Sequence, residues 1–161
     1  APLRVGGRDF VFTAVSMGNP HAVIFVDQPD ARLRELAAAL GPLIETDARF
    51  PRRTNVEFAA ARGSESNREI DLVVWERGCG ITLACGTGAC ATVVAACLEG
   101  RASADHEIPV HLPGGTLFIT VRSGTPNAAG PTYAGVAMRG PANLVFEAAV
   151  DPLAIRLPGT P

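Results

Sequence analysis

Apolar and polar residues fall into short blocks along this chain, and the blocks predict a protein made mostly of β-strands. β-Branched and aromatic residues dominate these blocks, and Gly, Pro, Asn or Asp separate them. Residues 21–26 are nearly all apolar, which predicts a strand buried on both faces. The predicted strands are residues 10–16, 21–26, 54–60, 69–75, 108–112, 116–122, 133–139 and 142–150.

Two other segments have the pattern of helices. Asp30 is a candidate N-cap for a helix over residues 31–40, and Gly41-Pro42 is expected to end it. Residues 43–53 are expected to be irregular. A second helix is predicted over residues 87–98, with Gly100 at its C-cap. It contains no charged residue, so we expect it to be buried all round.

These elements predict an α+β fold. A curled, mostly antiparallel or mixed β-sheet would wrap around the buried central helix, with one outer helix. The 161 residues suit a single domain, 1–161. The Pro-rich residues 157–161 are expected to form a loose tail.

Composition and charge exclude several classes of protein. The net charge is −2 and the basic residues are scattered, so no basic face for nucleic acid is expected. No apolar run is long enough to predict a membrane span. The four cysteines are crowded into one segment, which argues against a disulfide scaffold. They contain no C-x-x-C pair, which argues against a zinc site. Both observations favour a reducing, cytoplasmic compartment. The four cysteines are Cys79, Cys85, Cys90 and Cys97.

Cys85 is the strongest candidate for chemistry. It precedes Gly86-Thr87-Gly88 at the predicted start of the apolar helix. Free N–H groups at a helix start favour a thiolate, so a lowered pKa is predicted for Cys85. The glycines let an anion approach the same N–H groups. The simpler alternative is a small buried residue at a tight turn. Cys90 and Cys97 share one helix face and are predicted to fill the core.

Polar residues at predicted strand ends are the remaining candidates. Glu76 and Arg77 form either a surface ion pair or a pair that holds the ammonium and carboxylate of an amino acid. Asn19 and His21 flank a turn between two strands, and Asn55 opens another strand. Each of these three is by itself typical of a structural turn, unless the fold brings it to the helix start.

Three segments resemble one enzyme family. Residues 75–91, WERGCGITLACGTGACA, resemble the C-terminal active-site signature of diaminopimelate epimerases. Residues 17–23, MGNPHAV, and residues 53–57, RTNVE, resemble two further segments of that family in the same order. Ile81 stands where members usually have glutamate. The resemblance covers most of residues 15–100.

The resemblance implies an epimerase fold and a function. The enzyme would need no cofactor or metal. It would interconvert L,L- and meso-diaminopimelate for the synthesis of lysine and peptidoglycan precursors. One thiolate would remove the α-proton of the substrate, and a second thiol would return a proton to the opposite face. It implies that Cys85 is one of these cysteines, that Glu76 assists catalysis, and that His21 lies beside the reacting centre. The substrate-binding residues that it implies are Asn19, Asn55, Glu76, Arg77, Gly86 and Thr87, the last two through backbone N–H groups.

The second cysteine motif of the family is absent from this chain. Family members have two homologous halves that contribute one cysteine each, so the chain is expected to correspond to the C-terminal half and to be inactive alone. The implied partners are diaminopimelate, the other half, and a second subunit of a homodimer. Two alternatives stay open: a proline or hydroxyproline racemase or other isomerase of the same fold, and a non-catalytic anion-binding or assembly domain.

Overall fold

The computed structural model describes residues 1–27, 32–64, 67–128 and 130–151. Its helices are α1 (Leu33–Glu45) and α2 (Gly86–Leu98). Its strands are β1 (Pro2–Val5), β2 (Arg8–Val11), β3 (Thr13–Ser16), β4 (Pro20–Phe25), β5 (Asn55–Arg62), β6 (Glu69–Glu76), β7 (Gly80–Ile81), β8 (Glu107–Leu112), β9 (Gly115–Ser123) and β10 (Tyr133–Arg139).

One large mixed sheet dominates the structure. Its strand order is β10-β9-β8-β6-β5-β4-β3, and β7 pairs with the end of β6. The β4–β5 and β6–β8 pairs are parallel and the other pairs are antiparallel. Helix α2 contacts β3 at one edge and also β10 at the other, which requires a curled sheet. The predicted α+β fold is confirmed.

The two helices cover opposite faces of the sheet. Ile70, Leu72 and Val74 point from β6 into the cluster around α2, whereas Val73 packs in the cluster under α1. A strand covered on both faces is apolar at successive positions, which explains the continuous apolar runs in the sequence. The same holds for β4, whose burial on both faces is confirmed.

Helix α2 forms where it was predicted, and most of it is buried, although Thr87 and Leu98 at its two ends are exposed. Small side chains let the surrounding strands approach it closely, and Cys90 packs in its core cluster with Cys97 at the margin. Gly100 ends the helix with a φ of +68°. The N–H of Gly100 donates to Cys97 O at 3.2 Å and that of Arg101 to Ala96 O at 2.8 Å, a Schellman motif.

The predicted end of the first helix is wrong. Helix α1 continues through Gly41 and Pro42 to Glu45, although proline removes a helical N–H. The added turn buries Ile44 and lets the Glu45 carboxylate accept a hydrogen bond from Trp75 Nε1 at 2.8 Å. Tertiary contacts therefore override the local signal to stop. The predicted N-cap, Asp30, lies outside the described residues, and Arg32 precedes the first helical residue.

Two strand predictions are also wrong. Residues 10–16 form parts of two strands, because β2 pairs with β1 in a hairpin while β3 pairs with β4 in the large sheet. Residues 142–150 form no strand, and Leu144, Val145 and Phe146 are exposed. Nothing in the described part of the chain pairs with that segment, so its apolar pattern alone is not sufficient to form a strand. The predicted tail, residues 157–161, lies outside the described residues.

None of the helices in the described ranges is long and apolar enough to cross a membrane.

Gly41 provides a test of how α1 packs on the sheet. A Cβ at this position would lie 2.5 Å from Trp75 Cγ, so Trp75 or the helix would have to move. We expect Gly41→Ala to lower the free energy of unfolding by about 1–3 kcal/mol, measured by chemical denaturation. Gly135→Ala is the control, because a Cβ there meets nothing within 4 Å. Equal stability of the two variants would contradict the packing described.

Candidate active site

Cys85 is the N-cap of α2 and places its thiol at the start of that helix. Its backbone is extended, with φ −136° and ψ 102°, and its Sγ accepts a hydrogen bond from Gly88 N at 3.4 Å. The hydroxyl of Thr87 lies 3.6 Å from Sγ. The residue is only 7% exposed. The thiol therefore takes the capping role that Ser or Asp usually has, and is itself almost shielded from water.

The glycines beside Cys85 keep the start of α2 open. A Cβ at Gly88 would lie 3.1 Å from both Cys85 Sγ and Glu57 Oε1, and a Cβ at Gly86 would lie 3.1 Å from Met138 Sδ. Helix geometry leaves the first N–H groups of α2, including that of Gly86, without an acceptor inside the helix. The first turn can therefore receive a carboxylate from a ligand.

The pKa of Cys85 shifts opposite to the direction predicted from its position. Burial raises the pKa of its thiol, and the hydrogen bonds from Thr87 and Gly88 lower it only in part. The carboxylates of Glu76 and Glu57 raise it further. The effect of desolvation on the pKa of Cys85 thus outweighs the effect of the helix start, because little water reaches the thiol to solvate a thiolate. In the free chain, Cys85 is a protonated thiol at neutral pH.

A continuous hydrogen-bond network leads from Cys85 into the protein. Asn19 Nδ2 donates to Thr87 Oγ1 at 3.3 Å, and Asn19 Oδ1 lies 3.0 Å from His21 Nε2. His21 Nδ1 lies 2.6 Å from Glu57 Oε1. The side chains of His21 and Glu57 are fully buried. The turn between β3 and β4 is thereby connected to the start of α2.

Asn55 joins two strand ends. Its Oδ1 accepts from Arg77 N at 2.8 Å, and its Nδ2 donates to Pro20 O at 3.1 Å. Arg77 Nη1 donates to Arg52 O at 3.0 Å, which holds the guanidinium in place. The parallel register that pairs His21 with Asn55 brings these strand ends together.

Glu76 ends β6 close to the thiol. Its Oε1 accepts a hydrogen bond from Thr82 Oγ1, and its charge acts on both Cys85 and Glu57. Ile81, in β7, pairs with Trp75 of β6 and packs against the apolar cluster under α1.

A cavity of about 430 Å³ adjoins the network. Asn19, His21 and Arg77 line it, together with Phe50, Arg52 and Thr54. Cys85 is not part of the lining, so the predicted residues lie in two adjacent groups: the thiol end at the start of α2 and this cavity. Asn19 and His21 belong to both. In the described ranges, no group of three or more His, Cys, Asp or Glu side chains could hold a metal ion.

Glu57 and Glu45 are two residues of the site region to which the sequence assigned no role. A signal for Glu57 existed, because it is the one charged residue in the predicted strand 54–60. Glu45 had no such signal: it contributes only because α1 passes Pro42. Its Oε1 accepts from Gly78 N at 3.0 Å, which anchors the turn after Arg77.

Two solved structures share the fold. One, described as a probable proline racemase from Agrobacterium radiobacter K84, gives a TM-score of 0.58 over 96% of this chain and 50% of that chain, at 14% identity. The other, a hydroxyproline epimerase from Agrobacterium vitis, gives 0.55 over 86% of this chain and 48% of that chain, at 13% identity. The chain therefore has the fold of these amino-acid racemase and epimerase structures.

The sequence identifies the family within that class. The model of the diaminopimelate epimerase family matches residues 13–145, and the chain belongs to this family. The diaminopimelate epimerase of Desulfitobacterium hafniense is 50% identical over 147 residues, which are 91% of this chain and 46% of that protein. That of a Synechococcus species is 55% identical over 119 residues, 73% of this chain and 40% of that protein. The chain spans less than half the length of either relative.

The Glu45 anchor should make stability depend on pH. Its hydrogen bond to Trp75, with those to Gly78 and Arg53, lowers the pKa of Glu45 against the opposing effect of burial. A carboxyl with a lowered folded-state pKa stabilises the fold above its unfolded pKa, and this contribution is lost as pH falls through the folded pKa. Glu45→Gln should cost about 1–3 kcal/mol of unfolding free energy near neutral pH.

The difference between Glu45→Gln and the unchanged chain should shrink as the pH falls below the ordinary carboxyl range, measured by denaturation at several pH values. Glu35→Gln, on the exposed face of the same helix, should have no such effect. A pH-independent deficit in Glu45→Gln would mean that the charge of Glu45 is not what stabilises the turn.

Thiol labelling tests the state of Cys85. Cys79 is exposed and Cys85 is buried with a raised pKa, so an alkylating reagent should modify Cys79 first at neutral pH. In a Cys79→Ser chain, labelling of Cys85 should be slow and should accelerate as pH rises into the thiolate range, followed by peptide mass spectrometry. Preferential modification of Cys85 at neutral pH would contradict its protonated state.

Proposed function

We propose that residues 1–161 are the C-terminal domain of a cofactor-independent diaminopimelate epimerase. Family membership supports the reaction, and the position of Cys85 at the start of a buried helix carries the assignment of its thiol. The complete enzyme would interconvert L,L- and meso-diaminopimelate with a second cysteine from its N-terminal half. In this proposal it is a cytoplasmic homodimer, as the family resemblance implies.

The charges of the site match those of the substrate. The α-carboxylate would bind the N–H groups of Gly86 and Thr87, where helix geometry favours an anion. The α-ammonium would face the Glu76 carboxylate. The distal carboxylate would enter the cavity lined by Arg77, whose guanidinium is already held by Arg52 O.

Asn19 and Asn55 would complete substrate recognition. Asn19 lies between the thiol end and the cavity, and would bind the substrate between its two charged ends. Asn55 Nδ2 carries two hydrogens, and one of them goes to Pro20 O. The other would donate to the substrate.

The protonated state of Cys85 suggests one direction of proton transfer. The opposing cysteine, as thiolate, removes the α-proton, and the electron pair left on the α-carbon takes a proton from Cys85 on the other face. The carbanion would be stabilised by the N–H donors at the start of α2. Turnover leaves Cys85 as thiolate and the opposing group as thiol, so the reverse reaction uses the same pair with exchanged roles. Glu76, on the same side as Cys85, assists this proton transfer.

Deuterium exchange tests this proposal. The 161-residue chain alone should not incorporate α-deuterium into diaminopimelate in D2O. Joining it to the uncovered part of the Desulfitobacterium hafniense relative should restore exchange and epimerisation. Cys85→Ala in that fusion should reduce kcat by at least about a hundredfold, the usual range for a positioned acid or base.

Cys90→Ala is the matched control, because Cys90 is a buried cysteine on the same helix. Its kcat should stay within a few-fold of the unchanged fusion. Racemisation by the chain alone, or full activity of the Cys85→Ala fusion, would exclude the two-thiol assignment. A fusion that binds diaminopimelate without exchanging its α-proton would favour an anion-binding domain.

A further inference from the structure

The proposed mechanism leaves the buried carboxyl group of Glu57 unused. Glu57, in the middle of β5, is 0% exposed, and its Oε2 has no hydrogen-bond partner in the described structure. A buried carboxylate with an unpaired oxygen is costly unless something nearby offsets its charge. The group that can do so is His21, whose Nδ1 lies 2.6 Å from Glu57 Oε1.

The hydrogen bonds around His21 favour one extra proton on this pair. Asn19 Nδ2 donates to Thr87, which leaves Asn19 Oδ1, an acceptor, facing His21 Nε2 at 3.0 Å. His21 thus lies between two acceptor oxygens, whereas a neutral imidazole has one N–H. Both contacts are favourable only if the pair carries one more proton than ionised Glu57 with neutral His21. The pair then has no net charge, which suits its complete burial.

The extra proton can lie on either Glu57 or His21, and Nε2 of His21 carries a hydrogen in both cases. Either Glu57 is protonated and donates to Nδ1, or His21 is an imidazolium beside an ionised Glu57. In both, Nε2 carries a hydrogen and donates to Asn19. When the proton leaves, the Nδ1–H of His21 points to the carboxylate and Nε2 becomes an acceptor, an arrangement like the His–carboxylate part of a catalytic triad.

We infer that Glu57 is a positioning residue, which shares one exchangeable proton with His21 and so sets whether His21 Nε2 donates or accepts beside the start of α2. This inference rests on the proposed function for its role in catalysis. The sharing of the proton between Glu57 and His21 does not depend on the proposed function and can be tested on the 161-residue chain.

The surroundings place this change near neutral pH. Burial raises the pKa of Glu57 to about 7, against the lowering effect of His21. Among the described residues, the titratable groups that act on Glu57 or are acted on by it are His21 on β4, Glu76 at the end of β6 and Cys85 on α2. The raised pKa of Cys85 keeps its thiol protonated through this range.

Nitrogen-15 NMR of the histidine rings tests the inference on the 161-residue chain. The three histidines can be assigned with His106→Gln and His111→Gln variants. The Nε2 signal of His21 should move from a protonated to an unprotonated shift when the pair loses its proton; burial raises the pKa of Glu57 to about 7, so this step is expected near neutral pH. In Glu57→Gln, which keeps the shape of the side chain, this step should disappear.

Glu69→Gln is the matched control, because Glu69 Oε2 lies 3.1 Å from Nε2 of another histidine, His111. It should leave the step at His21 unchanged. A His21 Nε2 that keeps one protonation state across neutral pH in the unchanged chain overturns the inference, whether or not the variants fold. So does a step that survives in a folded Glu57→Gln chain.

The fused enzyme gives the functional readout. The dependence of kcat on pH should show an inflection near neutral pH in the fused enzyme. Glu57→Gln should remove this inflection while changing KM little. A step at His21 with an inactive fusion supports the shared proton and overturns the proposed function instead. An active fusion with no step at His21 overturns this inference alone.

Discussion

The structure depends on the burial of a helix that has no polar face. Helix α2 can be stable in water only if strands cover it on all sides, and its small residues allow the sheet to curl closely around it. Burial also shields the thiol of Cys85, which caps the first turn of this helix. A charge on that thiol is therefore poorly solvated.

This environment decides the electrostatics of the site. In water a helix start would favour the thiolate of Cys85, but here burial dominates and raises the pKa of its thiol. The same desolvation raises the pKa of Glu57. Burial thus favours the protonated forms of Cys85 and Glu57. A hydrogen-bond network through Thr87, Asn19 and His21 connects the two groups. These properties are the ones that the proposed function requires of a thiol that exchanges a proton with a carbon acid.

A second constraint comes from side chains that join strand ends. Asn55 connects the ends of β4 and β6, and Glu45 connects α1 to the turn after Arg77. These contacts explain the departures from local pattern. Helix α1 passes Pro42 because its last turn ends in hydrogen bonds to Trp75 and Gly78. Residues 142–150 remain exposed because an apolar alternation needs a partner strand or surface before it becomes structure.

The sequence by itself determined the central helix, most strands of the large sheet and the α+β class, because an apolar helix and strands such as β4, buried on both faces, leave a continuous apolar signal that short-range patterns record. It also determined the family, through residues 75–91, and placed Cys85 at a helix start. Only the tertiary structure decided the pKa direction of Cys85 and the pairing of His21 with Glu57, because desolvation and parallel-strand register arise from contacts between residues far apart in the chain. The same is true of Glu45, whose role depends on where a helix ends against the side chain of Trp75.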